Sequence, residues 1–188
     1  MAWKRGPQKI YDEAALYEYA VGALGRRMRS VAELKRLMRQ KMYKQENAEE
    51  LMEAVVSRLK DQRYLNDAQY AAAYSGFRKN NEKFGRRRVE QELKTRGVHG
   101  DVIEKAVGET YEGVSEERQA RDYLARKRLK KPTDQKSAAR VFRSLVRAGF
   151  GSRVIVQILK TWDVEDETLS ALEQETVDPH EHSSGDEE

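Results

Sequence analysis

Residues 64–107 read YLNDAQYAAAYSGFRKNNEKFGRRRVEQELKTRGVHGDVIEKAV and divide into three short helical patterns. From Asn66 to Asn80, Tyr70, Ala73, Tyr74 and Phe77 recur at spacings of three and four, which places them on one helical face and marks them as core. Asn66 is the expected N-cap. After a break at residues 82–85, a second pattern from Arg86 to Arg96 sets Val89 and Leu93 one turn apart, and Gly97 stands where such a helix stops. A third pattern starts near Gly100 or Asp101 and offers Val102, Ile103, Ala106 and Val107 for burial. None of these helices is long enough to hold by itself in water, so each depends on the others.

The same arrangement lies on both sides. Upstream, Ala15, Leu16, Tyr19, Ala20, Ala23 and Leu24 mark a helix from residue 11 or 12 to about Arg27. Ser30 and Glu33 then form an S-x-x-E capping box for a helix carrying Leu34, Leu37, Met38 and Lys41. Leu51, Met52, Val55, Val56 and Leu59 give the next helix, about residues 47–60, its apolar stripe. Downstream, helices are expected over residues 116–131, ended by Pro132, then from about residue 133 or 134 to 148, and 152–162. The second helices align as SVAELKRLMRQKMY from Ser30, GRRRVEQELKTRGV from Gly85 and SAARVFRSLVRAGF from Ser137. Leu34, Val89 and Val141 fall in register, as do Met38, Leu93 and Leu145, and then Met42, Gly97 and Gly149, at offsets of 55 and 52 residues. The third helices keep step once four extra residues are allowed in the first loop. The fold class is therefore all-α, an extended tandem array of three three-helix repeats: 11–63, 64–113 and 114–162. Residues 1–10 read as a basic arm. Residues 163–188 hold eleven Asp or Glu and no Lys or Arg, an acidic and largely disordered tail with at most a short helix over 164–175.

The motifs L-N-D-x-x-Y-A-x-x-Y from Leu65, G-R-R-R-V-x-x-E-L-x-x-x-G-V from Gly85 and A-G-F-x-x-x-V-I from Ala148 together resemble the RecX family of recombinase regulators. The resemblance covers roughly residues 11–159. It implies a cytoplasmic modulator of homologous recombination, DNA repair and the SOS response that binds the RecA filament on single-stranded DNA. Such a modulator usually limits the filament's growth or activity and has no catalysis of its own. The tail is longer and more acidic than that family's pattern needs.

The residues point the same way. Only 38% of the 188 residues are apolar and 36% are charged, which favours small cores. There is no cysteine, no run approaching a membrane span, no nucleophile with a base and no phosphate loop, so neither an enzyme nor a cofactor is expected. His99 reads as a loop residue, and His180 and His182 as a weak H-x-H in the tail. The chain is +4, and setting aside the eleven tail carboxylates leaves +15 on residues 1–162, a footprint for phosphate-rich partners. Between Gln135 and Trp162 there is no acid. Lys136, Arg140, Arg143 and Arg147 fall within a strip of about 60° at helical spacing, opposite Val141, Phe142 and Leu145. A second candidate patch is Arg126, Lys127, Arg128, Lys130 and Lys131, at the end of its helix, where cations also suit the dipole. A third is Arg86, Arg87 and Arg88, two of which Glu90 and Glu92 are spaced to pair. The expected partners are a RecA filament and single- or double-stranded DNA, met by a monomer. The alternative is a DNA-binding helical regulator with no recombinase partner, although the acids on the first two third helices disfavour insertion into a groove.

Overall fold

The computed structural model describes residues 10–177, and among these there are ten helices and no strand. They are α1 (Glu13–Arg26), α2 (Val31–Lys41), α3 (Ala48–Asp61), α4 (Asp67–Asn80), α5 (Arg86–Thr95), α6 (Gly100–Tyr111), α7 (Glu116–Arg126), α8 (Gln135–Arg147), α9 (Ser152–Lys160) and α10 (Asp166–Val177). Short polar residues start them. Asp12, Asn66, Ser115 and Asp134 each accept a hydrogen bond from a first-turn backbone N–H. Ser30 and Glu33 form the full reciprocal capping box. Among the described residues no helix is long and apolar enough to cross a membrane.

Two compact units emerge from the packing. Among the described residues, unit 1 combines residues 10–74 with Glu92–Gly108, and unit 2 combines Ser75–Gln91 with residues 109–177. In unit 1, α1, α2 and α3 pack on one another around Leu16, Leu34, Met38, Met52 and Leu59, all fully buried. In unit 2, α9 packs against α7, α8 and α10 around Phe142, Leu145, Ile155, Ile158 and Leu159, again fully buried.

Burial repeats along the chain as the sequence register requires. Leu34, Val89 and Val141 are all buried, and so are Met38, Leu93 and Leu145. In the third helices Met52, Ile103 and Ile155 are buried, while their neighbours Leu51, Val102 and Val154 are half-buried. The third register position differs for a conformational reason. Gly97 and Gly149 adopt φ of +74° and +88°, but Met42 has φ of −96°, and the left-handed residue falls two positions later at Lys44. The longer first loop accommodates that shift.

A second repeated relation lies in how the second helices dock. In unit 1 the Ser30 hydroxyl donates to the Arg96 carbonyl at 2.6 Å. In unit 2 the Gly85 N–H donates to the Ala148 carbonyl at 2.8 Å, and Gly85 and Ala148 are the residues that align with Ser30 and Arg96. Approach is close at both seats. A Cβ on Gly97 would lie 2.4 Å from the Ala32 Cβ, and one on Gly149 would lie 2.3 Å from the Arg88 backbone nitrogen.

Two expectations need correction. Helix α7 stops at Arg126, five residues before the expected end at Lys131. There Arg128 takes φ of +54° and the Leu129 N–H reaches back to the Leu124 carbonyl, a Schellman turn that half-buries Leu129 against the core. Phe77 is 54% exposed, so the face Tyr70–Ala73–Tyr74–Phe77 is not core along its length; α4 buries Tyr70, Ala71 and Ser75 instead. The short helix allowed over 164–175 is present as α10, Asp166–Val177, where Leu169 and Leu172 bury into the unit 2 core. The rest of the tail, with His180 and His182, and residues 1–9 of the N-terminal arm lie outside the described residues.

Candidate functional site

Helix α8 carries the strongest charge feature of unit 2. Its apolar residues Val141, Phe142 and Leu145 are buried, which turns Lys136, Arg140, Arg143 and Arg147 outward, and all four are exposed. They line a shallow groove of about 300 Å³ together with Asp134 and Ser137. Asp134 is committed elsewhere: its Oδ1 accepts the Ser137 N–H at 2.7 Å, and that bond holds its carboxyl below the usual range.

The turn after α7 meets this surface. Arg128, Lys130 and Lys131 line a hollow of about 260 Å³ that Arg140 also lines, so part of the second patch joins the α8 strip. The rest is more occupied. Lys131 pairs with Asp163 at 2.5 Å, Arg126 with Glu82 at 3.0 Å, and the Lys127 ammonium lies 5.9 Å from the Tyr123 ring centre. Of the third patch, Arg86 bonds Glu90 at 2.6 Å, as the spacing anticipates, and Arg88 lies 5.7 Å from the Phe84 ring centre. Arg87 is exposed. Glu92 accepts the Tyr74 hydroxyl at 2.6 Å. Gly85, which precedes these arginines, is hydrogen-bonded to Ala148, the residue after Arg147, so Arg86–Arg88 begin beside the C-terminal end of the strip.

Two of the first tail acids are paired with lysines outside α8. Asp163 pairs with Lys131, which holds its carboxyl low, and Asp166 pairs with Lys160 at 2.7 Å.

Unit 1 holds a cluster that the sequence pattern does not indicate. The Arg96 guanidinium donates to Glu33 at 2.6 Å and to the Tyr70 hydroxyl at 3.3 Å, and it lies 4.7 Å from the Tyr74 ring centre. Burial alone would weaken its hold on its proton, but Tyr74, Tyr70 and Glu33 together raise its pKa. Burial, and next the Glu33 charge, push the Tyr70 phenol up.

Comparison with known proteins fits this architecture. Residues 66–107 match the family model described as RecX, second three-helix domain. Regulatory protein RecX of Deinococcus radiodurans is 35% identical over 154 residues, covering 81% of this chain and 70% of that protein. The chain belongs to the RecX family. Regulatory protein RecX of Oceanobacillus iheyensis is 30% identical over 155 residues, and this RecX-family chain spans only 55% of that relative's length. The crystal structure of RecX from Lactobacillus salivarius superposes with a TM-score of 0.60 at 20% identity, covering 80% of this chain and 96% of that one, which is a likeness of fold.

Proposed function

We propose that the chain is a non-enzymatic regulator of homologous recombination and DNA repair, monomeric and cytoplasmic, which binds the RecA filament on single-stranded DNA and limits its activity. The observation that carries this reading is the cationic strip of α8, four exposed basic residues opposite a buried face. Membership of the RecX family supplies the class of partner. Arg128 and Lys130, and at its other end Arg87, extend the strip, while Arg86 and Arg126 belong with their ion pairs. We read residues 11–63, 64–113 and 114–162 as its repeating units. A reader of base sequence is disfavoured, because α3 exposes Glu49, Glu50 and Glu53 and α6 exposes Asp101, Glu104 and Glu109, where a helix in a groove would face phosphates.

The test compares binding to a preformed recombinase filament and to bare single-stranded DNA at the same salt. Preference for the filament is expected, and equal binding would leave only a nucleic-acid binder. Replacing Lys136, Arg140 and Arg147 together by Glu should leave helix content nearly unchanged, weaken the complex, and reduce the salt slope by about 2 if each meets a phosphate. Loss of folding in that variant would assign the three residues a structural role instead.

A further inference from the structure

A hollow of about 260 Å³ in unit 1 is lined by Arg27, Met28, Tyr70, Ala73, Tyr74 and Arg96. The Tyr70 and Tyr74 rings stack at 5.9 Å with planes 23° apart, and Arg96 lies close enough to Tyr74 to close the wall. Each polar tip is tied down: the Tyr74 hydroxyl to Glu92, the Tyr70 hydroxyl and Arg96 to Glu33. Tyr70 is itself buried, so the surface left at the hollow is Met28, the exposed Ala73 and the half-buried Tyr74. At the rim, Met28 is 53% exposed, although the core of α1–α3 lies only a turn away along the chain.

Charge selects the class of ligand. Arg26, Arg27 and Arg29 surround Met28 in the sequence, and Arg96 adds a fourth cation. Besides Glu92, which is bonded to the Tyr74 hydroxyl, the acid that meets them is Glu33, already bonded to Arg96 and only 3.9 Å from the largely exposed Arg27. The carboxylate is thus shared, and the rim keeps a positive excess. A peptide side chain would satisfy the apolar wall without using that excess. A ligand with a flat apolar face and an anion beside it uses both.

We propose that this hollow seats one unpaired nucleobase of single-stranded nucleic acid, stacked between Met28 and the Tyr74 face, with the adjoining phosphate on Arg27. Aromatic stacking of this kind accepts any base, since every base has a π face. A duplex cannot use the hollow, because its bases are stacked within the helix. The site belongs to unit 1, shares no residue with the α8 strip, and rests on the proposed function only in taking nucleic acid as the partner class.

The test uses the full chain and a thymidine oligomer of about 16 nucleotides, the upper end of an ordinary single-strand footprint. A parallel abasic oligomer keeps the phosphates and removes the bases. Met28→Ser should weaken the thymidine complex by about fivefold or more and leave the abasic complex unchanged, as expected for loss of a stacking contact. Arg27→Ser should weaken both alike and lower the salt slope by about 0.7. With 5-iodouracil in the oligomer, photocrosslinks should map to the peptide holding Tyr70 and Tyr74. Crosslinks confined to unit 2, no effect of Met28→Ser, equal losses from Met28→Ser on both oligomers, or no binding of the thymidine oligomer at low salt would each overturn the proposal. The Lys136, Arg140 and Arg147 variant, run in parallel on the filament, reads the α8 strip separately, so the two sites stand or fall independently.

Discussion

Gly97 is the position at which the docking of α5 on α2 can be measured most directly. Its φ of +74° disfavours any side chain, by about 1–2 kcal/mol for alanine. A Cβ there would also fall 2.4 Å from the Ala32 Cβ, more than 1 Å inside the carbon–carbon optimum of about 3.5–4.0 Å. Overpacking of that degree typically costs about 1–3 kcal/mol, so Gly97→Ala should destabilise unit 1 by about 2–5 kcal/mol. Ala32→Gly removes the obstructing methyl, and the next nearest atom, the Ala32 Cα, is at an ordinary 3.9 Å. By itself that change costs about 1 kcal/mol in helix propensity. The double variant should therefore be more stable than the sum of the single changes predicts, by the clash of about 1–3 kcal/mol. Gly113→Ala is the reference, because Gly113 has φ of +65° with no atom within 4 Å and reports the backbone cost alone. Urea unfolding followed by the helical signal measures all four variants. Additivity of the two changes within about 0.5 kcal/mol, with Gly97→Ala no worse than Gly113→Ala, would refute the close approach.

Other parts of the fold make further predictions. Leu169→Ala should cost unit 2 about 2–5 kcal/mol in urea unfolding, since Leu169 is 1% exposed in the core. For the same reason the tail's effect on binding is best measured on a chain ending at Val177, which keeps α10 and removes the five carboxylates of residues 178–188. If those carboxylates compete for the strip, this chain binds single-stranded DNA more tightly than the full chain, and the gap shrinks as salt rises. Equal binding at low salt would sink that competition. Ser75→Ala should leave stability unchanged or raise it by up to about 1 kcal/mol by thermal unfolding, because the buried Ser75 hydroxyl has no hydrogen-bond partner. The raised phenol of Tyr70 makes the protonated form the one that folding favours. Its contribution is complete below the ordinary phenol range near pH 10 and is lost as pH rises through its higher folded value. Melting curves between about pH 9 and 11 should therefore fall more steeply for the natural chain than for Tyr70→Phe.

What was legible in the sequence was whatever rests on local pattern. The capping box at Ser30, the N-cap at Asn66 and the glycine stop at Gly97 follow from side-chain and backbone chemistry within a few residues. The outward strip on α8 follows from its periodicity, because Val141, Phe142 and Leu145 can all bury only if the arginines face away. Illegible were the features set by tertiary packing. Phe77 has the spacing of a core residue, but the buried line on α4 runs through Tyr70, Ala71 and Ser75. The short helix over 164–175 was allowed by the sequence, but the burial of Leu169 and Leu172 in the unit 2 core, which fixes α10, was not. The Arg96, Glu33 and Tyr70 cluster joins residues up to 63 positions apart, and no local rule links them.

The repeated docking explains why the middle three helices are divided between the compact units although the sequence period treats them as one. Helix α5 is seated at both ends by the same relation, once as acceptor and once as donor. At its C-terminal end the Arg96 carbonyl receives Ser30, within unit 1. At its N-terminal end the Gly85 N–H reaches Ala148, within unit 2. What recurs is a backbone carbonyl at a helix end, capped by the start of the preceding repeat's second helix, and not a residue type. Serine serves at the first seat because its hydroxyl spans the gap while also capping α2. Glycine is required at the second, where a Cβ would stand 2.4 Å from the Gly149 carbonyl oxygen. Aligned letters thus conceal the contact that repeats, since Ser30 and Gly85 share a position and a role but no side-chain chemistry. The close approach that excludes a side chain at Gly85 also brings Arg86–Arg88 up to the end of the α8 strip, so one steric requirement serves both the packing of unit 2 and the continuity of its cationic face.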